Sequence, residues 1–215
     1  MPLALAPHIH LAVIGDDAVL LDTAADAYLC VPDGRRLLRP TADRAAVSPA
    51  SPDVTAQLTA AGFVDPQAPP APRRRPDLPR RDLGDPAAGE PVSAQDGLRL
   101  AGALWDLFWR YRGRPLPAIL AWVRRAAPKC ADPDEVARLA RVFQRAAVWL
   151  PMPRKCLVRS FVLLRFLQRS GQDARWVFGV TTWPFSAHCW LQLEDVALDD
   201  WAERLVIYEP ILAVG

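Results

Sequence analysis

Cys156 is the residue whose position most suggests covalent chemistry. It begins the segment "KCLVRSFVLLRFLQRSG", 155–171, which follows a proline-rich break and ends at Gly171. Proline disfavours earlier helical turns and glycine commonly ends a helix, so the pattern predicts a helix that begins at this cysteine. A helix N-terminus and the neighbouring Arg154 and Lys155 would favour the nucleophilic thiolate. The alternative is a cysteine that only packs, because cysteine is among the most buried residues.

A cysteine nucleophile usually needs a histidine base. The chain has three histidines, and His8 and His10 lie far from Cys156, near the first residues. His188 lies in "AHCWLQLE", 187–194, which alternates like a strand and places His188 and Trp190 on one face. The alternative is a strand histidine with a structural role only.

A third group should orient the imidazole by accepting its Nδ1 proton. The segment "ALDDW" offers Asp199 and Asp200 one hairpin turn beyond His188. Adjacent residues of a strand face opposite ways, so we expect only one of them to reach back. The pattern does not decide which one.

Composition excludes several other classes of protein. The chain has 215 residues, 51% of them hydrophobic, and a formal net charge of +2, which is too small to indicate nucleic-acid binding. It contains no 18-residue apolar run and no export signal, so we expect a cytoplasmic protein without a membrane partner. The four cysteines Cys30, Cys130, Cys156 and Cys189 are widely spaced, which predicts neither disulfides nor a zinc site.

The proline distribution predicts three regions. The segment 65–94 is rich in proline and arginine and lacks an apolar pattern, so we expect a linker between a small unit, 1–64, and a larger one, 95–215. The small unit has three short strands, the last at 27–31, and a helix that begins after Ser51 and ends at Gly62.

The larger unit is predicted to contain helices first and strands afterwards. Apolar residues at helical spacing occupy 97–113 and 116–127, and Asp132 caps a third helix. Beyond the Cys156 helix, strands are predicted at 174–180, 187–194, 196–201 and 204–210. This order predicts an antiparallel α+β domain.

The larger unit resembles the transglutaminase-like cysteine peptidases that mature lasso peptides. Its nucleophile helix follows C-x-x-R-S-x-x-L-x-x-x-L, a G-x-x-A-x-x-V-x-G-V strand comes next, and an A-H-x-W strand and a closing Asp complete the match. The resemblance implies a papain/transglutaminase-like core with Cys156 as nucleophile, His188 as general base and acid, and Asp200 as the orienting carboxylate. The sequence contains no Gly-rich phosphate-binding loop, so we expect no cofactor. The resemblance also implies two partners, a ribosomally made precursor whose leader is removed and an asparagine-synthetase-like cyclase.

The small unit resembles leader-recognition elements, which are winged-helix-like modules of three strands and a helix. In such modules a leader peptide adds as a strand along the third strand. The resemblance therefore implies leader binding at Tyr28, Leu29, Cys30 and Val31. A module that serves only as a scaffold is the alternative.

Two positions depart from the pattern of the peptidase family. Cys189 stands where alanine is frequent, and we expect it to pack on the face opposite His188; Asp199 stands where asparagine is common. An oxyanion donor is expected at the Cys156 amide, and the second could be Trp149, Gln144 or backbone. An acyltransferase with the same three residues, or a non-enzymatic adaptor that delivers the precursor, remains as an alternative function.

Overall fold

The computed structural model describes residues 2–70, 73, 75–84, 91–126 and 131–215. Cys130, part of the predicted linker and the last residue of the helix predicted at 116–127 lie outside the described residues. The chain divides into two compact units. The first comprises residues up to 76, 179–187 and 208–212, and the second comprises 77–178, 188–207 and 213–215.

The N-terminal part of the chain forms two three-stranded sheets and two helices. In chain order the elements are β1 (Leu3–Leu5), β2 (Ile9–Ile14), β3 (Asp17–Asp22), β4 (Ala27–Val31), α1 (Gly34–Leu38), β5 (Ala46–Val47), α2 (Pro52–Ala60) and β6 (Val64–Asp65). The sheets have the orders β5-β1-β6 and β2-β3-β4. All described pairs in these two sheets are antiparallel.

The three strands and the helix predicted there are confirmed, but β1, β5, β6 and α1 were missed. Ser51 caps α2 as predicted, with its side chain accepting a hydrogen bond from the Val54 amide, while Ala61 rather than Gly62 is the C-cap residue. The missed strands have only two or three residues. Such segments are too short to show the alternation by which strands are recognised.

The rest of the chain supplies most of the helices. In chain order its elements are β7 (Arg81–Asp82), α3 (Ala94–Asp106) with a π-helical continuation (Leu107–Tyr111), α4 (Leu116–Ala126), α5 (Pro133–Ala147), α6 (Cys156–Arg169), β8 (Arg175–Thr181), β9 (Ser186–Leu193), β10 (Val196–Ala197), α7 (Ala202–Leu205) and β11 (Glu209–Val214). A five-stranded sheet has the order β11-β8-β9-β10-β7. Mixed helix and sheet content is consistent with the predicted α+β class, although β7 pairs parallel to β10.

The strand predicted at 204–210 is wrong. The chain forms α7 first, in which Ala202 and Leu205 are buried three residues apart, while Val206 and Ile207 remain exposed. Strand pairing begins only at Glu209. An apolar run of this length does not distinguish a helical turn from a strand, and burial of the i, i+3 pair decided for the helix.

Part of the predicted linker takes part in the sheet. Arg81 and Asp82 form β7, and Leu83 is buried. The amides of Arg80 and Arg81 donate to the carbonyl oxygen of Asp195. These bonds are made by the backbone, so a composition without an apolar pattern could not reveal them.

The helix α6 forms the centre of the second unit. Ten of its residues are buried, and Phe161 packs within 6.2 Å, between ring centroids, of Trp176 on β8. Its end at Gly171 is a Schellman motif, because the amides of Gly171 and Gln172 donate to the carbonyls of Gln168 and Leu167. The residue that begins this helix is therefore held on a rigid, buried element.

Within the described residues, none of the helices combines the length and the apolar character needed to cross a membrane.

Candidate active site

The first residue of α6 is Cys156, as predicted. Lys155 is the N-cap residue, and its side chain makes no capping hydrogen bond. The first amides of a helix have no partner within it, so those of α6 remain available to an anionic group near Cys156. The cysteine is half-buried and lines a pocket of about 270 Å³.

His188 and Asp200 form a close pair beside Cys156. His188 Nε2 lies 2.6 Å from Asp200 Oδ2, and both residues line the same pocket as the cysteine. The Trp201 amide donates to the other carboxylate oxygen at 2.7 Å, which fixes the orientation of the Asp200 carboxylate. The expectation that this carboxylate accepts the Nδ1 proton is wrong, because Nε2 is the nitrogen that faces it.

Charges on this pair and the thiol reinforce one another. Hydrogen bonds from Cys189 and His188 lower the pKa of Cys156 to about 4, even though burial opposes this. Burial works against a charged His188, but hydrogen bonds to Asp200 and Cys156 outweigh it and raise the pKa of His188 to about 10. The stable form near neutral pH is therefore a thiolate–imidazolium pair, the reactive form of a cysteine nucleophile.

The groups that stabilise the thiolate differ from those expected. Arg154 and Lys155 are exposed, and the pKa of Cys156 is lowered by Cys189 and His188 instead. Cys189 was expected only to pack on the face opposite His188; it is buried, and hydrogen bonds from its thiol and its amide also help to lower the pKa of Cys156. Alternation along β9 predicts only that His188 and Cys189 point to opposite faces of the strand. It does not predict that Cys156, on another element, contacts both of them.

Only Asp200 reaches the imidazole, in agreement with the expectation that one of the two aspartates would do so, while Asp199 makes different contacts beside it. Asp199 Oδ2 accepts a hydrogen bond from Ser160 at 2.6 Å, and its Oδ1 accepts one from the Leu191 amide at 2.8 Å. Strand alternation does not apply to this pair, because β10 ends at Ala197. Asp199 thereby joins α6, which carries the thiol, to β9, which carries the imidazole.

Burial raises the pKa of Asp199 to about 6, although its hydrogen bonds with Ser160 and Leu191 act in the opposite direction. For Asp200, burial is again the largest influence, but the bond to His188 outweighs it and lowers the pKa of that carboxyl. The two neighbouring carboxylates therefore have different tasks. Asp199 braces the backbone and Asp200 holds the imidazole.

Neither of the two side chains considered as a second oxyanion donor lines this pocket. Gln144 donates its amide to the Leu198 carbonyl at 2.8 Å, and Trp149 lies 86% exposed. Backbone amides of the first turn of α6 and of Cys189 are donors near the thiol that could serve instead.

The rim of the pocket is basic. Arg154, Arg159 and Arg204 line it together with the exposed ring of Trp201. Arg159 Nε is buried and has no hydrogen-bond partner among the described residues. Guanidinium groups donate several hydrogen bonds and accept none, so this rim suits a ligand rich in carbonyl or carboxylate oxygens.

Ser160 and Cys189 are the residues of the site that sequence reasoning missed. The signal for Ser160 was its place four residues after Cys156, on the same helical face. The departure of Cys189 from the alanine frequent in related peptidases was the signal for that residue. The described residues contain no cluster of three or more His, Cys, Asp or Glu side chains suited to a metal ion.

The predicted leader-binding residues lie on β4, at one edge of the sheet β2-β3-β4. Leu29 is 47% exposed, and Tyr28 packs against Phe185 with ring centroids 5.6 Å apart. Cys30 and Val31 are partly buried. β4 pairs with β3 and is the last strand in the order of this sheet.

Comparison with known families gives one match. The sequence profile of the transglutaminase-like superfamily matches residues 100–213, which includes Cys156, His188 and Asp200. Searches among curated proteins and among solved structures returned no match.

Proposed function

Because the chain belongs to the transglutaminase-like superfamily, we propose that it is a cysteine peptidase that removes the leader from a lasso-peptide precursor. The observation that carries this proposal is the contact of Cys156 with His188, whose Nε2 lies 2.6 Å from Asp200. Superfamily members include both cysteine peptidases and acyltransferases, and the resemblance of the nucleophile helix to lasso-peptide peptidases supports the narrower function.

The reaction begins with the Cys156 thiolate attacking the carbonyl carbon of the leader–core bond. The carbonyl π bond opens and its oxygen becomes an oxyanion, which the open amides at the N-terminus of α6 stabilise by hydrogen bonding. His188, protonated through its contacts with Asp200 and Cys156, donates a proton to the leaving nitrogen of the core peptide. The C–N bond then breaks and a thioester of the leader remains.

Water completes the cycle. Neutral His188 now removes a proton from a water molecule, which attacks the thioester carbonyl. The C–S bond breaks, the leader leaves with a free carboxylate, and the thiolate–imidazolium pair is restored. Asp200 remains ionised throughout and keeps the imidazole oriented.

The basic rim of the pocket and the terminal position of β4 in its sheet support a peptide as the substrate. Arg154, Arg159 and Arg204 can donate hydrogen bonds to main-chain carbonyls that approach the thiol. The leader is proposed to add as a strand beside Tyr28, Leu29, Cys30 and Val31, because β4 is the last strand in the order of its sheet. The freed core peptide would pass to the asparagine-synthetase-like cyclase.

Replacement of Cys156 tests the proposal. Cys156→Ala should reduce precursor cleavage by at least about 10³-fold, since removal of a nucleophile leaves only binding and oxyanion contacts. Cys130→Ala is the matched control, because it removes a thiol to which the proposed mechanism gives no role. Unchanged cleavage by Cys156→Ala would contradict the mechanism and favour an adaptor.

Mass spectrometry of the released leader separates hydrolysis from acyl transfer. With an added primary amine, a free leader carboxylate supports the peptidase. A leader–amine conjugate as the main product would support the acyltransferase instead, because both reactions share the thioester and differ in the group that resolves it.

A further inference from the structure

Cys189 is placed as a second thiol of the site. Its thiol and its amide both hydrogen-bond to the Cys156 sulfur, and its carbonyl oxygen lies 3.4 Å from Ser160 Oγ. Ser160 is one helical turn beyond Cys156. Cys189 is therefore held against the N-terminal part of α6 by Ser160, and the two cysteines line one pocket.

The two thiols differ in accessibility. Cys156 is half-buried and opens to the pocket, whereas Cys189 is only 4% exposed. A small oxidant that enters the pocket meets the Cys156 thiolate first. Reactivity toward peroxides follows thiolate character and exposure, and both favour Cys156.

We propose that Cys156 and Cys189 form a reversible disulfide when a hydroperoxide oxidises Cys156, so that the site is an oxidation-sensitive dithiol. The disulfide removes the nucleophile from use. It also protects that nucleophile from the sulfinic and sulfonic states, which thiol reductants do not reverse. The proposal depends on a reactive Cys156 thiolate and not on the identity of the substrate.

Two balanced steps lead to the disulfide. In the first, the thiolate attacks hydrogen peroxide, the O–O bond breaks, and Cys156 becomes a sulfenic acid while the peroxide is reduced to water with one added proton. In the second, the Cys189 sulfur attacks the sulfenic sulfur, the S–O bond breaks, and the S–S bond forms. The hydroxide that leaves takes up the thiol proton as water, with His188 able to relay it.

Oxidation itself prepares Cys189 for the second step. The pKa of Cys189 is raised chiefly because its thiol donates a hydrogen bond to the Cys156 thiolate, with burial adding to the effect. A sulfenic acid carries no such charge, so the principal cause of the raised pKa disappears once Cys156 is oxidised. The resolving thiol is therefore inactive in the reduced enzyme and becomes a better nucleophile after the first step.

Bond formation also requires the sulfurs to approach from hydrogen-bond contact to about 2 Å. The first turn of α6 has no side-chain cap at Lys155, so this turn can adjust more easily than the rest of the helix. Ten later residues of α6, including Phe161, are buried. We therefore expect the movement to occur at the first turn.

Peptide mapping after peroxide treatment tests the proposal directly. The full chain with Cys30→Ser and Cys130→Ser, which keeps only the two thiols in question, is treated with hydrogen peroxide, and remaining thiols are blocked before digestion. We expect a cross-linked peptide that joins Cys156 to Cys189, lacks two hydrogen atoms, and disappears on treatment with dithiothreitol. Absence of this peptide while Cys156 gains oxygen would overturn the proposal.

Cys189→Ala in the same background provides the comparison. Without a resolving thiol, Cys156 should proceed to the sulfinic acid at a rate at least about tenfold higher, and dithiothreitol should not restore it. Equal rates in the two proteins would contradict the protective role. This experiment measures the mass of one peptide, so its result tests the disulfide whether the chain is a peptidase or an acyltransferase.

Discussion

Asp199→Asn isolates the contribution of a carboxylate that braces the site without touching the reacting atoms. Asparagine keeps the shape of the side chain, and its Oδ1 can still accept from the Leu191 amide, 2.8 Å away in the native protein. Ser160 can accept a hydrogen bond from the new amide and turn its own proton toward the Cys189 carbonyl, 3.4 Å away. The brace therefore persists while the ionisable group is lost.

The expected change in stability follows from the pKa of Asp199. Burial raises this pKa to about 6, against an ordinary value of 3.8. A folded-state pKa above the unfolded one means that stability is fully present below about pH 4 and is lost as the pH rises through 6. Two pKa units correspond to at most about 3 kcal/mol, so the native protein should lose up to that much relative to Asp199→Asn between pH 4 and pH 7.

Urea unfolding followed by tryptophan fluorescence measures this difference, since the chain contains eight tryptophans. The free energy of unfolding of both proteins is determined at half-unit steps from pH 4 to pH 7.5. Groups common to both proteins cancel in the difference. A difference that does not change with pH would refute the reasoning, because it would mean that Asp199 titrates equally in the folded and unfolded chains.

Three further measurements follow from the site and from the helix that packs behind it. The rate at which iodoacetamide alkylates Cys156 should decrease as the pH falls through about 4, because the thiolate is then protonated. His188→Ala should move the midpoint of this pH dependence to higher pH, and an unchanged midpoint would contradict the ion pair. Asp200→Asn should lower kcat by about 10²–10⁴-fold while KM changes little, since it misorients the imidazole; a KM effect alone would indicate a role in binding. Ser93→Ala should lower the free energy of unfolding by about 1 kcal/mol, because Ser93 and Asp96 form the capping box of α3; an unchanged urea midpoint would show that this cap contributes nothing.

Local signals in the sequence determined most of the helices. Proline and an N-cap residue mark the starts of α2 and α5, where Ser51 and Asp132 accept the expected backbone hydrogen bonds. Gly171 marks the end of α6 because a left-handed residue is needed there. Each of these signals acts over four or five residues, so it can be recognised without knowledge of the rest of the chain.

The composition of the site was also partly determined by sequence. The order of Cys156, His188 and Asp200 along a helix, a strand and the following turn restricts which groups can meet, and the family profile covers all three. Their roles in catalysis remain predictions that the proposed variants test. Strand alternation could not decide between Asp199 and Asp200, because the strand ends at Ala197.

Only the tertiary structure decided which groups surround the thiol. Cys189 contacts Cys156, Ser160 holds Asp199, and Asp200 faces Nε2 of His188 rather than Nδ1. These contacts join residues 12 to 39 positions apart and depend on how α6 lies against β9. A local pattern specifies the face from which a side chain leaves its own element. The packing of a second element against that face, driven by burial of residues such as Phe161 and Trp176, determines what the side chain meets.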